Sequence, residues 1–162
     1  MIKFVVAKLK NIVKDQDYKT ELVTHLIEMQ RQAISNARKT MEEAQEEANN
    51  YGMPKDRYDG FRNQQIRRKD MFAKQLAQAM SNLDVLNRID LEMQHKTVEF
   101  GALVTTNSAT FLISIGIGIT NFKGEDVAVI SMMVPLFHAM KGKQTGDVFS
   151  FNEHEYRVLH II

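Results

Sequence analysis

The chain has 162 residues with no cysteine and no tryptophan, and 21 Lys and Arg stand against 20 Asp and Glu for a net charge of +1. So even a balance excludes a polycation that coats nucleic acid by bulk charge, and the missing cysteines exclude a disulfide framework, a thiolate metal site and a cysteine nucleophile. The hydrophobic share of 44% and charged share of 25% are those of a globular chain, long enough for one ordinary domain or two small ones.

The start, Met1 to Lys8, carries a short apolar stretch that meets Lys8 and Lys10 too soon for a secretory signal. The longest weakly polar run, Phe111 to Ile119, falls far short of the ~20 apolar residues a helix needs to cross a bilayer. A cytoplasmic protein is expected. Residues 2–14 read as a further helix or an extension of the first one, and Asp15-Gln16-Asp17 as a break or N-cap. Val23, Ile27, Ile34, Ala37, Met41, Ala44 and Ala48 then fall on a 4,3 heptad seam, with polar Gln30 filling one position. Asn49-Asn50-Tyr51-Gly52-Met53-Pro54 ends that helix and turns the chain. A second seam follows at Phe72, Leu76, Ala79, Leu83 and Leu86, with Ile66, Ala73 and Met80 widening its face. Neither stripe can be buried alone, so the two helices, each roughly 45 Å long, pack antiparallel. The small residues Ala37, Ala44 and Ala48 let them approach closely near the turn.

Two glycines precede residue 100 and six follow it, which places a boundary there. Residues 1–97 carry 17 Lys and Arg against 14 Asp and Glu; residues 98–162 carry 4 against 6. In this second part the period changes. Phe100 to Thr106, Thr110 to Ile115, Val127 to Ile130, Val148 to Phe151 and Tyr156 to Ile161 are β-branched and aromatic runs of strand length. Gly116-Ile117-Gly118, Lys123-Gly124-Glu125 and Thr145-Gly146-Asp147 supply turns. One short helix is expected from Pro135, after an extended Val134, with Leu136, Ala139 and Met140 inward and Gly142 at the C′ position. The expected fold class is α+β: an N-terminal antiparallel coiled-coil hairpin over 1–97, its tip near 50–58, and a small β-sheet domain with one short helix over 98–162.

The segment Ile130 to Asp147 resembles the I-S-x-x-S-P-L-x-x-A-L-x-G-K-x-x-G-D signature of the GreA/GreB transcription factors. Ile130, Ser131, Pro135, Leu136, Ala139, Gly142, Lys143, Gly146 and Asp147 match without a gap, while Val134 and Met140 depart from it. The order of a helical hairpin before a small sheet also agrees, with residues 1–17 as an addition. The resemblance implies an FKBP-like C-terminal domain that docks on bacterial RNA polymerase, and a coiled coil that enters the secondary channel. It implies a polymerase-binding set of Ser131, Pro135, Leu136, His138, Lys141, Lys143 and Asp147. In the family two acidic residues at the tip help hold the catalytic metal, because a hard divalent cation takes oxygen ligands.

This chain's tip, Tyr51, Met53, Lys55, Asp56 and Asp59, departs from that pattern. Anchored on Tyr58, the family's two acids fall on Tyr51 and Pro54, neither of which offers a carboxylate. Asp56 and Asp59 are near, but Lys55 and Arg57 are interleaved with them, and the two carboxylates also suit the start of the second helix. A regulator without transcript-cleavage stimulation is therefore expected, a monomer, not an enzyme, with no cofactor and no metal site unless Asp56 and Asp59 supply one. Arg62, Arg67, Arg68, Lys69 and Lys74 form a basic stretch that reads as a solvated face paired with Glu42, Glu43, Glu46 and Glu47, or as a contact for RNA, DNA or an acidic protein surface. His25, His95, His138, His154 and His160 share no metal spacing, and Met132 and Met133 read as core filler. Two other readings stay open. One is an FKBP-like peptidyl-prolyl isomerase with a pocket built from Phe100, Phe111, Phe137, Phe149, Phe151 and Tyr156; the other is a coiled-coil adaptor or dimer.

Overall fold

The computed structural model describes residues 15–50 and 60–162. Helix α1 spans Gln16–Asn50, α2 Gly60–Asn87 and the short α3 Pro135–Met140; six strands run β1 Leu103–Thr106, β2 Thr110–Ser114, β3 Gly118–Phe122, β4 Glu125–Ser131, β5 Val148–Phe151 and β6 His154–Ile161. Asp15 caps α1 as its sequence suggests: its Oδ1 accepts the Tyr18 N–H at 2.8 Å. Asn49 and Asn50, expected to open the turn, still belong to α1; the rest of the expected turn and tip, and residues 1–14, lie outside the described residues. The described chain divides into two compact units, His25–Asn87 on one hand, and residues up to Thr24 with Arg88–Ile162 on the other.

In the hairpin unit the cross-helix partners fix the direction. Asn82 donates to Gln30 at 3.2 Å, Lys69 to Gln45 at 2.7 Å, and Arg68 lies 3.7 Å from Glu47. Numbers that rise on one helix fall on the other, so α1 and α2 are antiparallel. Gln30, Ala37, Ala44 and Ala48 are buried along α1, as are Gln65, Ala79 and Leu86 along α2. Two expectations need correction. Ile66 and Met80 are exposed rather than part of the seam, because Gln65 takes the inward position one residue earlier. Leu26 joins the buried line of α1, and Ile27, one residue on, is only half-buried.

In the sheet unit the strand order is β3-β4-β2-β1-β6-β5. All neighbours are antiparallel except β2 and β4, which run parallel. Strand β3 was not expected: Gly118 reads as a turn residue, yet it opens an edge strand that returns to β4 through Lys123 and Gly124, both at positive φ. A second such pair, Asn152 and Glu153, joins β5 to β6.

Alternation gives the sheet two buried faces. On one, Val104, Phe111 and Ala128 stand in register and join Ile113, Phe137, Met140, Phe149, Val158 and Ile161 in a single cluster. On the other, Leu103, Leu112 and Val129 stand in register, all fully buried. The first turns of α1 meet this face near β3. Tyr18 packs edge-on against Phe122 with ring centres 5.4 Å apart, and Glu21 pairs with Lys123. Burying each of these large side chains contributes about 1.5–3 kcal/mol. No helix among the described residues is long and apolar enough to cross a membrane.

Candidate functional site

The segment from Ile130 to Asp147 leaves the sheet, makes one short helix and returns. Each signature residue has a local physical task. Ser131 Oγ accepts the Met133 N–H at 3.3 Å and starts the bend out of β4. Val134 is extended, with φ −80 and ψ 146, and Pro135 begins α3, where its missing N–H costs nothing. Phe137 and Met140 plug the core, while Leu136 and Ala139 pack half-buried against it; the expected inward set omitted Phe137. Gly142, at φ +74, stops the helix at the C′ position. Two backbone bonds of 2.9 Å, Gly142 N–H to Val98 O and Val98 N–H to Lys143 O, strap the return to residue 98. Asp147 closes a reciprocal turn. Its Oδ2 accepts the Gln144 N–H at 2.8 Å, and its own N–H donates to Gln144 O at 3.0 Å.

Of the expected binding set, then, Ser131, Pro135, Leu136 and Asp147 have work inside the fold, Lys143 takes part through its main chain alone, and His138 and Lys141 stand exposed. Between them the segment also exposes two residues read as core filler. Met133 is 85% exposed and Met132 44%, because the Ser131 bend carries both clear of the sheet. An unbranched thioether in water is poor filler and a good adaptable contact. A doubled Met beside a Pro-started helix was the signal for it. The outward surface is thus apolar at Met133 and Pro135, and polar to basic at His138 and Lys141.

The basic face of α2 is partly spent within the hairpin. Arg68 pairs with Glu47 and Lys69 donates to Gln45; Arg62 is half-buried, and Arg67 and Lys74 are exposed. The tip set Tyr51, Met53, Lys55, Asp56 and Asp59 lies outside the described residues. Among the described residues no group of three or more His, Asp or Glu side chains is placed to hold a metal ion. His95 is buried, its Nδ1 2.9 Å from Glu99 Oε1; His25, His138 and His154 are exposed. Of the aromatics considered for an isomerase pocket, Phe100 and Phe151 are half-buried. Phe111, Phe137 and Phe149 are buried in the core, and Tyr156 stacks on Phe149 at 5.0 Å with its ring edge-on to Phe111.

No family model matches the chain, and no curated protein matches it. Solved structures do. The chain is similar to GreA factor homologs. With the GreA factor homolog 1 (Gfh1) protein of Thermus thermophilus it shares 18% identity over 88% of this chain and 93% of that one, at a TM-score of 0.33. With Thermus aquaticus Gfh1 it shares 21% identity over 88% and 92%, at a TM-score of 0.32.

Proposed function

We propose that the chain is a non-enzymatic transcription regulator that grips bacterial RNA polymerase with the outward surface of residues 130–147 and sends the α1–α2 hairpin into the secondary channel. The observation that carries this reading is the division of labour in that segment. Its signature residues build a Pro-started helix and a Gly-Asp turn, and Met133, His138 and Lys141 are left exposed on the outside, His138 with its ring edge-on to Phe137. A polymerase surface that is apolar with acidic surroundings would complement them. The tip bears on the direction of the effect. Tyr51 and Pro54 stand where the family's acids would be, so occupation of the channel without metal delivery is the expected action, and with it no RNA cleavage.

The test is a pull-down of core polymerase with the full chain. Wild type should bind at micromolar concentration, and Met133→Glu with Lys141→Glu should weaken binding by about tenfold or more, the loss expected when an interface anchor meets an uncompensated charge. Absence of wild-type binding at that concentration ends the reading. In parallel, backtracked complexes should show no added RNA cleavage. Cleavage that disappears in Asp56→Ala or Asp59→Ala would reverse the assignment of a non-cleaving role.

A further inference from the structure

Beside its fully buried line the hairpin carries a second apolar stripe that its own packing covers only in part. On α1 it consists of Ile27, Ile34 and Met41, seven residues apart and half-buried; on α2 it consists of Ile66, Ala73 and Met80, also seven apart, with Ile66 44% and Met80 47% exposed. Both lie on one flank. A groove of about 400 Å³ is lined by Arg31, Ile34 and Arg38 from α1 and by Met80, Leu83 and Asp84 from α2. A second groove of about 360 Å³ is lined by Met41, Glu42, Gln45 and Glu46 together with Lys69, which stands one turn from both Ile66 and Ala73. A heptad stripe left open beside a filled seam is the surface a further helix packs on.

The charges on the rims say which helices. The first groove carries two arginines and one aspartate, the second two glutamates and one lysine. Two pairs form within the hairpin away from these rims, Lys39 with Glu43 and Arg68 with Glu47. Among the described residues, none of Arg31, Arg38, Glu42 and Glu46 is in an ion pair, although Arg38 and Glu42 are one turn apart. Arg31 and Glu46 are about 22 Å apart along the helix, so only another molecule can bring them together.

We propose that this flank is where two copies of the chain pair, antiparallel about a two-fold axis, so that two hairpins close a four-helix bundle. An axis passing between Arg38 and Glu42 lays the arginine-rimmed groove of each copy toward the glutamate-rimmed groove of the other. It also sets the Met80 end of each stripe against the Ile66 end of the other, with Met41 and Ala73 near the axis. A two-fold interface must be complementary to itself, and a stripe that is apolar along its length and opposite in charge at the rims of its two grooves meets that condition. An acidic or basic helix of another protein would satisfy only one half.

Sedimentation equilibrium of the full chain tests it. Wild type should be a dimer well below about 100 μM, and the Ile66→Glu, Met80→Glu double variant a monomer with unchanged helix content by circular dichroism, since both side chains are exposed in the single chain. Arg31→Glu with Arg38→Glu should weaken pairing by about tenfold or more, and Glu42→Arg with Glu46→Arg likewise. The two charge-reversed chains mixed in equal amounts should pair with each other. Wild type that stays monomeric to about 100 μM overturns the proposal, as does a dimer indifferent to Ile66→Glu and Met80→Glu, or a mixture that fails to pair.

Discussion

Lys19 is the residue that fits the fold least comfortably. It lies in the second turn of α1 with its side chain fully buried and its Nζ without a hydrogen-bond partner. Burial pulls the amine from its ordinary 10.5 down to about 8, and the nearby Asp90 offsets part of that effect. The sign follows from the depression. Between pH 8 and 10.5 the unfolded chain keeps a proton that the folded chain has released, so stability rises with pH across that window. Below it the fold carries a buried charge. Lys19→Met should therefore stabilise the protein near neutral pH by about 1–2 kcal/mol, a fraction of the full burial cost because Asp90 offsets some of it. Its advantage should shrink as pH climbs through the window. Thermal melts of both chains across that range check it: parallel curves would mean that Lys19 titrates alike in both states.

At the scale of the element, the seams were legible and their edges were not. Heptad spacing names Ala37, Ala44, Ala79 and Leu86 as inward, and they are. It could not choose between Gln65 and Ile66, because hydrophobicity favours the residue that the register of the second helix turns outward. The result is a glutamine whose Oε1 is buried without a partner. Gln65→Leu should raise the urea midpoint, a gain of about 1 kcal/mol from removing an unsatisfied polar atom inside the seam. A fall would mean that Gln65 holds the register and that its amide is used. The sheet behaved similarly. Strands β1, β2, β4, β5 and β6 were visible as β-branched runs, and α3 as a Pro start with a Gly stop. Strand β3 was hidden because an edge strand needs little hydrophobicity, and Gly118 with Asn121 suits a turn as well as an edge. Met132 and Met133 were misplaced for a different reason. Composition says what a methionine tolerates, and only the bend at Ser131 says which way it points.

For the whole molecule, the two proposals make opposite demands on one hairpin. A channel that admits a single hairpin cannot take one whose flank is covered by a second copy, so polymerase and partner chain compete, and each lowers the other's apparent affinity by mass action. The dissociation constant of the dimer then marks a threshold. Below it wild type and the Ile66→Glu, Met80→Glu chain should bind polymerase equally, which also controls for any direct contact made by the substituted residues. Above it wild type should fall behind by the ratio of total to monomeric chain, since only the monomer is competent to enter. Titrating labelled polymerase with each chain on both sides of the threshold measures this directly. Equal binding throughout would mean that pairing leaves the surface of residues 130–147 free to carry the interaction and that the hairpin adds nothing to affinity. In that case Met133→Glu with Lys141→Glu would abolish binding by both chains alike, and the grip and the pairing would be independent properties of two separate units.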